Sequence, residues 1–219
     1  MTLAIFDLDN TLIAGDSDHR WGKYLCEQGF ADPVLHKKEN DRFYADYTRG
    51  SLDVDAYLRF ALGPIAGMAI AEVETLQQAF VRDCIESLLL DKAFALLETH
   101  RKQGDTLLII TATNTVVTQP IATRLGVTHL IGSEAEIKSG CYSGKPSGIP
   151  AYREGKVIRL LEWLKSQREE AIEGAWFYSD SHNDLPLLSL VDHPVAVDPD
   201  TTLAAHAATQ GWPVISLRN

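Results

Sequence analysis

The sequence predicts an α/β protein, a three-layer α/β/α core around a Rossmann-like parallel sheet, with a helical cap inserted after the first strand. Three observations lead there. Short apolar runs that stop abruptly at small polar or acidic residues alternate with segments of helical periodicity, which is the pattern of a doubly wound sheet. Strand signals vanish from about residue 16 to residue 90, while apolar residues keep recurring at helical spacing. A chain of 219 residues holds one full α/β domain and a smaller insert, but not two full domains. The expected division is therefore a core of residues 1–15 and 91–219 and a cap of residues 16–90.

In chain order, residues 2–6 form a short apolar run that breaks at Asp7-Leu8-Asp9-Asn10-Thr11, as a buried parallel strand does when it meets a polar loop. Within the insert, Trp21, Tyr24 and Leu25, then Val73, Leu76, Phe80 and Cys84, mark helix faces. Gly63-Pro64 and Gly67 separate an aromatic-rich front half from a long rear helix. After a helix over 91–102, Gly104-Asp105 turns into the strongest strand signal, residues 106–111. A helix over 115–125 leads to apolar Leu130-Ile131, and an alternating stretch over 134–142 reads as a hairpin. A loop containing Pro146 and Pro150 follows, then a helix from near Glu154 with Val157, Leu160, Leu161 and Leu164 on one face. Trp176-Phe177-Tyr178 is a further strand that runs into Ser179-Asp180-Ser181-His182-Asn183-Asp184. Residues 195–197 and 214–217 supply the last strands around a helix near Leu203.

Composition narrows the partners. Twenty Lys and Arg against thirty Asp and Glu give a net charge of -10, which opposes binding to nucleic acid or to an anionic membrane surface. An anionic substrate would need a metal ion and local cations to approach. Cys26, Cys84 and Cys141 lie far apart and form no C-x-x-C pair, so they read as reduced thiols. With no signal-peptide pattern at its start and no apolar run of membrane-spanning length, the chain is expected to be cytoplasmic. Its oligomeric state is not readable.

Each polar cluster alone has a bland explanation. Asp7 and Asp9 fit a turn bonded to its own backbone, Thr111-Ala112-Thr113-Asn114 a strand end and helix N-cap, Lys156 a solvated lysine, and Asp180 and Asp184 surface acids with Asn183 as a cap. Together, an acid pair, a hydroxyl, a lysine and a second acid pair, each at a strand end or helix start, point to one shared site.

In this order the residues resemble the haloacid dehalogenase superfamily, in its phosphoserine-phosphatase-like branch, over essentially the whole chain. Asp7-Leu8-Asp9-Asn10-Thr11 matches the D-x-D-x-T signature, Thr111 the second-motif hydroxyl, Lys156 the third-motif lysine (Lys145 is a nearby rival), and Asp180 with Asp184 the fourth-motif acids. The resemblance implies a phosphatase acting on a small phosphorylated metabolite. Asp7 would be the nucleophile and Asp9 the acid and then base. Mg²⁺ would lie on Asp7, the Asp9 carbonyl and Asp180, with Asp184 in or just behind that shell. Thr111 and Lys156 would hold the phosphoryl group, with Asn114 and Asn183 beside the substrate.

Dehalogenating members generally lack the second acid, so Asp9 favours phosphate over halide. Asp16 occupies the place of the acid that binds the substrate amine in phosphoserine phosphatases, and is equally an N-cap of the first cap helix. Asp18 and His19 stand near it. Arg42, Arg49 and Arg59 all compete for the role of the carboxylate-binding arginine. His182 places a titratable ring in the fourth motif where glycine is more usual. The alternatives are a phosphomutase or phosphotransferase with the same nucleophile, and a non-enzymatic phosphoacceptor or binding protein.

Overall fold

The computed structural model describes residues 2–167 and 171–218. Its seven-stranded sheet is built around β1 (Leu3–Phe6), which is completely buried. β1 pairs in parallel with β2 (Thr106–Asn114) on one side and with β5 (Trp176–Ser179) on the other. Outward from these lie β3 (His129–Lys138) and β4 (Cys141–Ser147) beyond β2, and β6 (His193–Val197) and β7 (Val214–Ile215) beyond β5. The order is β4-β3-β2-β1-β5-β6-β7, with only β4 antiparallel.

The pleat of β1 divides the core. Ala4 and Phe6 join one apolar cluster and Leu3 and Ile5 the other, as a strand buried on both faces requires. Helices α5 (Asp91–Gln103) and α6 (Thr115–Arg124) cover the first face. Helices α7 (Glu154–Ser166), α8 (Leu185–Leu188) and α9 (Thr201–Gln210) cover the second.

Between β1 and β2 stand α1 (Ser17–Glu27), α2 (Pro33–Thr48), α3 (Val54–Leu62) and α4 (Ile70–Phe80). Asp16, Asp32 and Asp53 each accept backbone N–H bonds at the starts of the first three, satisfying donors that a helix start otherwise leaves open. The inserted helices are tied to the β3–β4 hairpin by main-chain bonds. Gly67 N donates to Tyr142 O at 2.8 Å, and Tyr142 N to Met68 O at 3.0 Å.

Four expectations need correction. The rear helix does not continue to Cys84 in α form; after Phe80 it widens into a π turn over Val81–Ile85, which carries Ile85 into the core five residues after Phe80. Pro146 lies in β4 rather than in a loop, a placement that an edge strand tolerates because its outer N–H row is unpaired. Leu161 is exposed, while Leu160 beside it is fully buried, so the buried stripe of α7 is narrower than the apolar sequence. Ser181, not Asn183, caps the turn after β5, its Oγ accepting from Asn183 N at 3.2 Å. β2 also continues three residues beyond Thr111.

Candidate active site

The carboxyl ends of β1, β2 and β5 open into one cavity of about 230 Å³, walled on its far side by α2 and α3 residues. Asp7, Asp9, Thr111, Lys156, Asp180, Asn183 and Asp184 all line it, as does Asp16. Parallel packing brings them together: Phe6 stands opposite Ile109 on β2 and Tyr178 on β5, so Asp7, the stretch of β2 just past Ile109 and the loop after β5 share one edge of the sheet. Asn114 is the exception among the expected residues. It is buried outside the lining, where its Oδ1 accepts from Val117 N and its Nδ2 donates to Asp18 Oδ1 at 3.3 Å.

Lys156 is the hinge of the floor. From the first turn of α7, its Nζ lies 2.8 Å from Asp7 Oδ1 and 2.7 Å from Asp184 Oδ1, and it is 2% exposed. Burial opposes its charge, but Asp184 and Asp7 outweigh burial and raise its pKa, so the ammonium persists. Lys145 is not among the lining residues. Asp184 also accepts from Ser179 Oγ at 2.6 Å, so its carboxylate is fastened from two sides. Asp180 is held by Thr11, which donates through Oγ1 at 3.3 Å and accepts from Asp180 N at 3.1 Å.

Asp9 is held by a different pair of donors. Its Oδ1 accepts from Ser17 N at 2.6 Å and its Oδ2 from Thr113 Oγ1 at 2.9 Å. Thr113 received no role from the sequence, although strand alternation already placed it on the same side as Thr111. Thr111 Oγ1 accepts from Thr113 N at 3.2 Å, which leaves the Thr111 hydroxyl proton available to a ligand.

The floor has more negative charge than it can balance. Burial pushes Asp7 up to about 7, with Asp184 and Asp9 adding repulsion and Lys156 pulling it back. Burial, followed by the charge of Asp16, pushes Asp9 up to about 6. Asp180 is raised well above the carboxylate range by burial and then by Asp7 and Asp184. The donors here are carboxylates, hydroxyls and carbonyls, a set that suits a hard divalent cation. Among the described residues no three carboxylate, imidazole or thiol side chains converge as a ligand group. Two carboxylates, one carbonyl and waters are what a Mg²⁺-sized ion takes.

The opposite wall is aromatic and acidic, with Phe43, Tyr44, Tyr47, Tyr57 and Tyr152 around Asp16 and His19. Asp16 caps α1, its Oδ1 accepting from His19 N at 2.8 Å, and faces the cavity as well. Arg42, Arg49 and Arg59 line none of it. Each pairs with an acid on its own helix or helix end: Arg42 with Glu39 at 2.8 Å, Arg49 with Asp46 at 2.7 Å and Arg59 with Asp55 at 3.0 Å. His182 sits at the rim with its Nδ1 2.8 Å from Asp200 Oδ2. Tyr47, Tyr57 and Tyr152 went unremarked in the sequence because nothing local distinguishes them from the other tyrosines of the chain.

The sequence profile of the haloacid dehalogenase-like hydrolases matches residues 4–189. A histidinol-phosphatase of Neisseria meningitidis is 42% identical over 220 residues, spanning 99% of both chains. A phosphoserine phosphatase of Mycobacterium tuberculosis is 32% identical over 223 residues, covering 98% of this chain and 70% of its own. A crystal structure of a Bordetella pertussis protein of unknown function superposes with a TM-score of 0.91 at 39% identity, over 99% of this chain and 100% of that one. The chain belongs to the haloacid dehalogenase-like hydrolases, a family whose phosphatases typically use a divalent metal. It is a phosphatase. No helix among the described residues is long and apolar enough to cross a membrane.

Proposed function

We propose that the protein hydrolyses the phosphate monoester of a small amino alcohol of the histidinol phosphate type, using Mg²⁺ and an aspartyl-phosphate on Asp7. One observation carries the substrate choice: among the described residues, Lys156 is the one lysine or arginine lining the cavity, and it is committed to Asp7 and Asp184. A substrate carboxylate, as in phosphoserine, would find no cation on the α2–α3 wall. A protonated amine would find Asp16. The name of the Neisseria relative agrees with this reading.

In the reaction, an Asp7 carboxylate oxygen attacks phosphorus and the bond from phosphorus to the ester oxygen breaks. Asp9, raised to about 6, retains a protonated fraction near neutrality and gives its proton to the departing oxygen. Asp9 then takes a proton from water as that water attacks the aspartyl-phosphate, releasing inorganic phosphate and restoring the Asp7 carboxylate. Thr113 and Ser17 N hold Asp9 in place for both transfers. Thr111 donates to a phosphoryl oxygen, and Lys156 offsets charge on the phosphoryl group. A Mg²⁺ ion held by Asp7, the Asp9 carbonyl and Asp180 would screen the repulsion between the attacking carboxylate and the phosphate dianion. Asp184 would lie in or just behind this shell, and its pair with Lys156 keeps the ammonium aimed. The inserted helices act as the cap that excludes water and reads the alcohol.

The test is phosphate release from histidinol phosphate, phosphoserine and sugar phosphates, with Mg²⁺ or chelator, for wild type and Asp7→Asn. Metal-dependent release that favours histidinol phosphate and disappears in Asp7→Asn is expected. Equal turnover of phosphoserine would remove the argument from the missing cation, and transfer of phosphate to an added alcohol instead of water would make the protein a phosphotransferase.

A further inference from the structure

Arg153 has a backbone conformation that its side chain does not suit. Its φ is 52° and its ψ is -119°, a region that glycine enters freely and that crowds any residue with a Cβ. It stands at the start of α7, three residues before Lys156, in a tightly packed segment. A Cβ on neighbouring Gly155 would come 2.0 Å from Pro150 O. Among the described residues, the guanidinium Nε is also buried without a hydrogen-bond partner. Two unfavourable features coincide on one side chain, and its one hydrogen bond among the described residues runs from Nη1 to Gly50 O at 3.0 Å.

Gly50 is the corner between α2 and α3, where the inserted helices come down on the core. Its φ is 69°, and a Cβ there would lie 3.4 Å from His182 Nε2. One turn back along the same corner, Tyr47 reaches the catalytic loop: its hydroxyl donates to Ser181 Oγ at 3.1 Å, and its carbonyl accepts from Asn183 Nδ2 at 3.3 Å. Asn183 is held from the other side by the Tyr152 hydroxyl at 3.1 Å. Tyr152 and Arg153 thus meet the corner from the start of α7, and Ser181 and Asn183 meet it from the loop that carries Asp180 and Asp184.

We propose that Arg153 is a positioning residue that fastens the α2–α3 corner over the catalytic cavity and so registers the specificity wall against Lys156 and the 180–184 loop. The contact explains why arginine occupies a glycine-like backbone position: glycine would relieve the crowding but would release the corner. This role rests on the phosphatase reading above, in that the wall is taken to read the alcohol part of a phosphate ester.

The test compares wild type, Arg153→Gly and Arg153→Leu by two measurements. Amide hydrogen exchange over residues 46–51 is expected to speed up about tenfold in both variants, the loss of about one hydrogen bond's contribution, with amides of β1 and β2 unchanged. The ratio of kcat/KM for histidinol phosphate to that for phenyl phosphate, an ester lacking the amine, is expected to fall about tenfold. Wild-type exchange over 46–51 together with an unchanged ratio overturns the proposal, as does a general rise in exchange with both rates falling in parallel, which is the mark of a merely structural residue. Arg153→Leu decides by the same measurements if the glycine variant does not fold. If wild type hydrolyses neither ester, the proposed function fails, while the exchange measurement still decides whether Arg153 holds the corner.

Discussion

The two walls of the cavity are built on different principles. The floor is made of strand ends and the first turn of α7, and its acids are anchored by fixed partners: Asp9 by Ser17 and Thr113, Asp184 by Lys156 and Ser179, and Asp180 by the Thr11 hydroxyl, which donates to its carboxylate and accepts from its backbone N–H. The facing wall is carried by α2 and α3, whose arginines are spent on exposed pairs with acids close by in sequence, and it offers the cavity rings and hydroxyls, with Asp16 at the start of α1 as its acid. Phosphoryl chemistry tolerates little displacement of the reacting groups. Recognition of the alcohol part can be met by many surfaces. Rigidity on one side and variety on the other is what that division of labour demands.

The comparison is tested most severely on the floor. Asp7→Asn should abolish phosphate release, and Asp9→Asn should lower kcat by about 10²- to 10⁴-fold without a matching rise in KM. If Asp9→Asn acts mainly on KM, Asp9 belongs with the recognition wall. Lys156→Met should cost about 3–5 kcal/mol in chemical denaturation, because it leaves Asp7 and Asp184 buried without their cation.

On the wall, Asp16→Asn should raise KM for an amino-bearing ester about tenfold while leaving kcat for phenyl phosphate near wild type, the pattern of a binding contact. A loss shared equally by both esters would instead tie Asp16 to the chemistry through its influence on Asp9.

The charge excess should also appear in stability. Burial raises Asp7 and Asp18 from the ordinary 3.8 to about 7, and Asp9 to about 6. The folded state therefore holds protons that the unfolded chain has already released, so stability present below about pH 4 is lost as pH rises through 6 to 7. In chelator, the melting temperature should be lower at pH 8 than at pH 5, and Mg²⁺ should recover part of the difference at pH 8. A curve that is flat over this range would show that the buried carboxylates are relieved by some other means. The smallest effect is expected from Tyr57→Phe, which removes the bond from Tyr57 Oη to Asp18 Oδ2 at 2.5 Å and should cost about 1 kcal/mol.

How far these features were legible before folding varies with their range in sequence. The strands and most helices follow from local periodicity, and the D-x-D-x-T segment, Thr111, Lys156 and the Asp180–Asp184 loop could be found because their spacing within each motif is short. Pro146 and Leu161 misled because edge position and stripe width depend on neighbours distant in sequence. Lys156 could be preferred to Lys145 because it opens an amphipathic helix, whereas the fate of Arg42, Arg49 and Arg59 needed the third dimension.

By itself, then, the sequence determined the alternation of strands and helices, and it singled out acids, a hydroxyl and a lysine at strand ends and helix starts that the fold gathers around one cavity. Tertiary structure alone decided that Thr113 holds Asp9, that Lys156 joins Asp7 to Asp184 across 149 and 28 residues of chain, and that Arg153 meets Gly50. The physical reason is that periodicity and capping are set by neighbours within a helical turn. The pairing of a buried charge is set by whichever groups the closed chain leaves within hydrogen-bonding distance, and no local pattern records those.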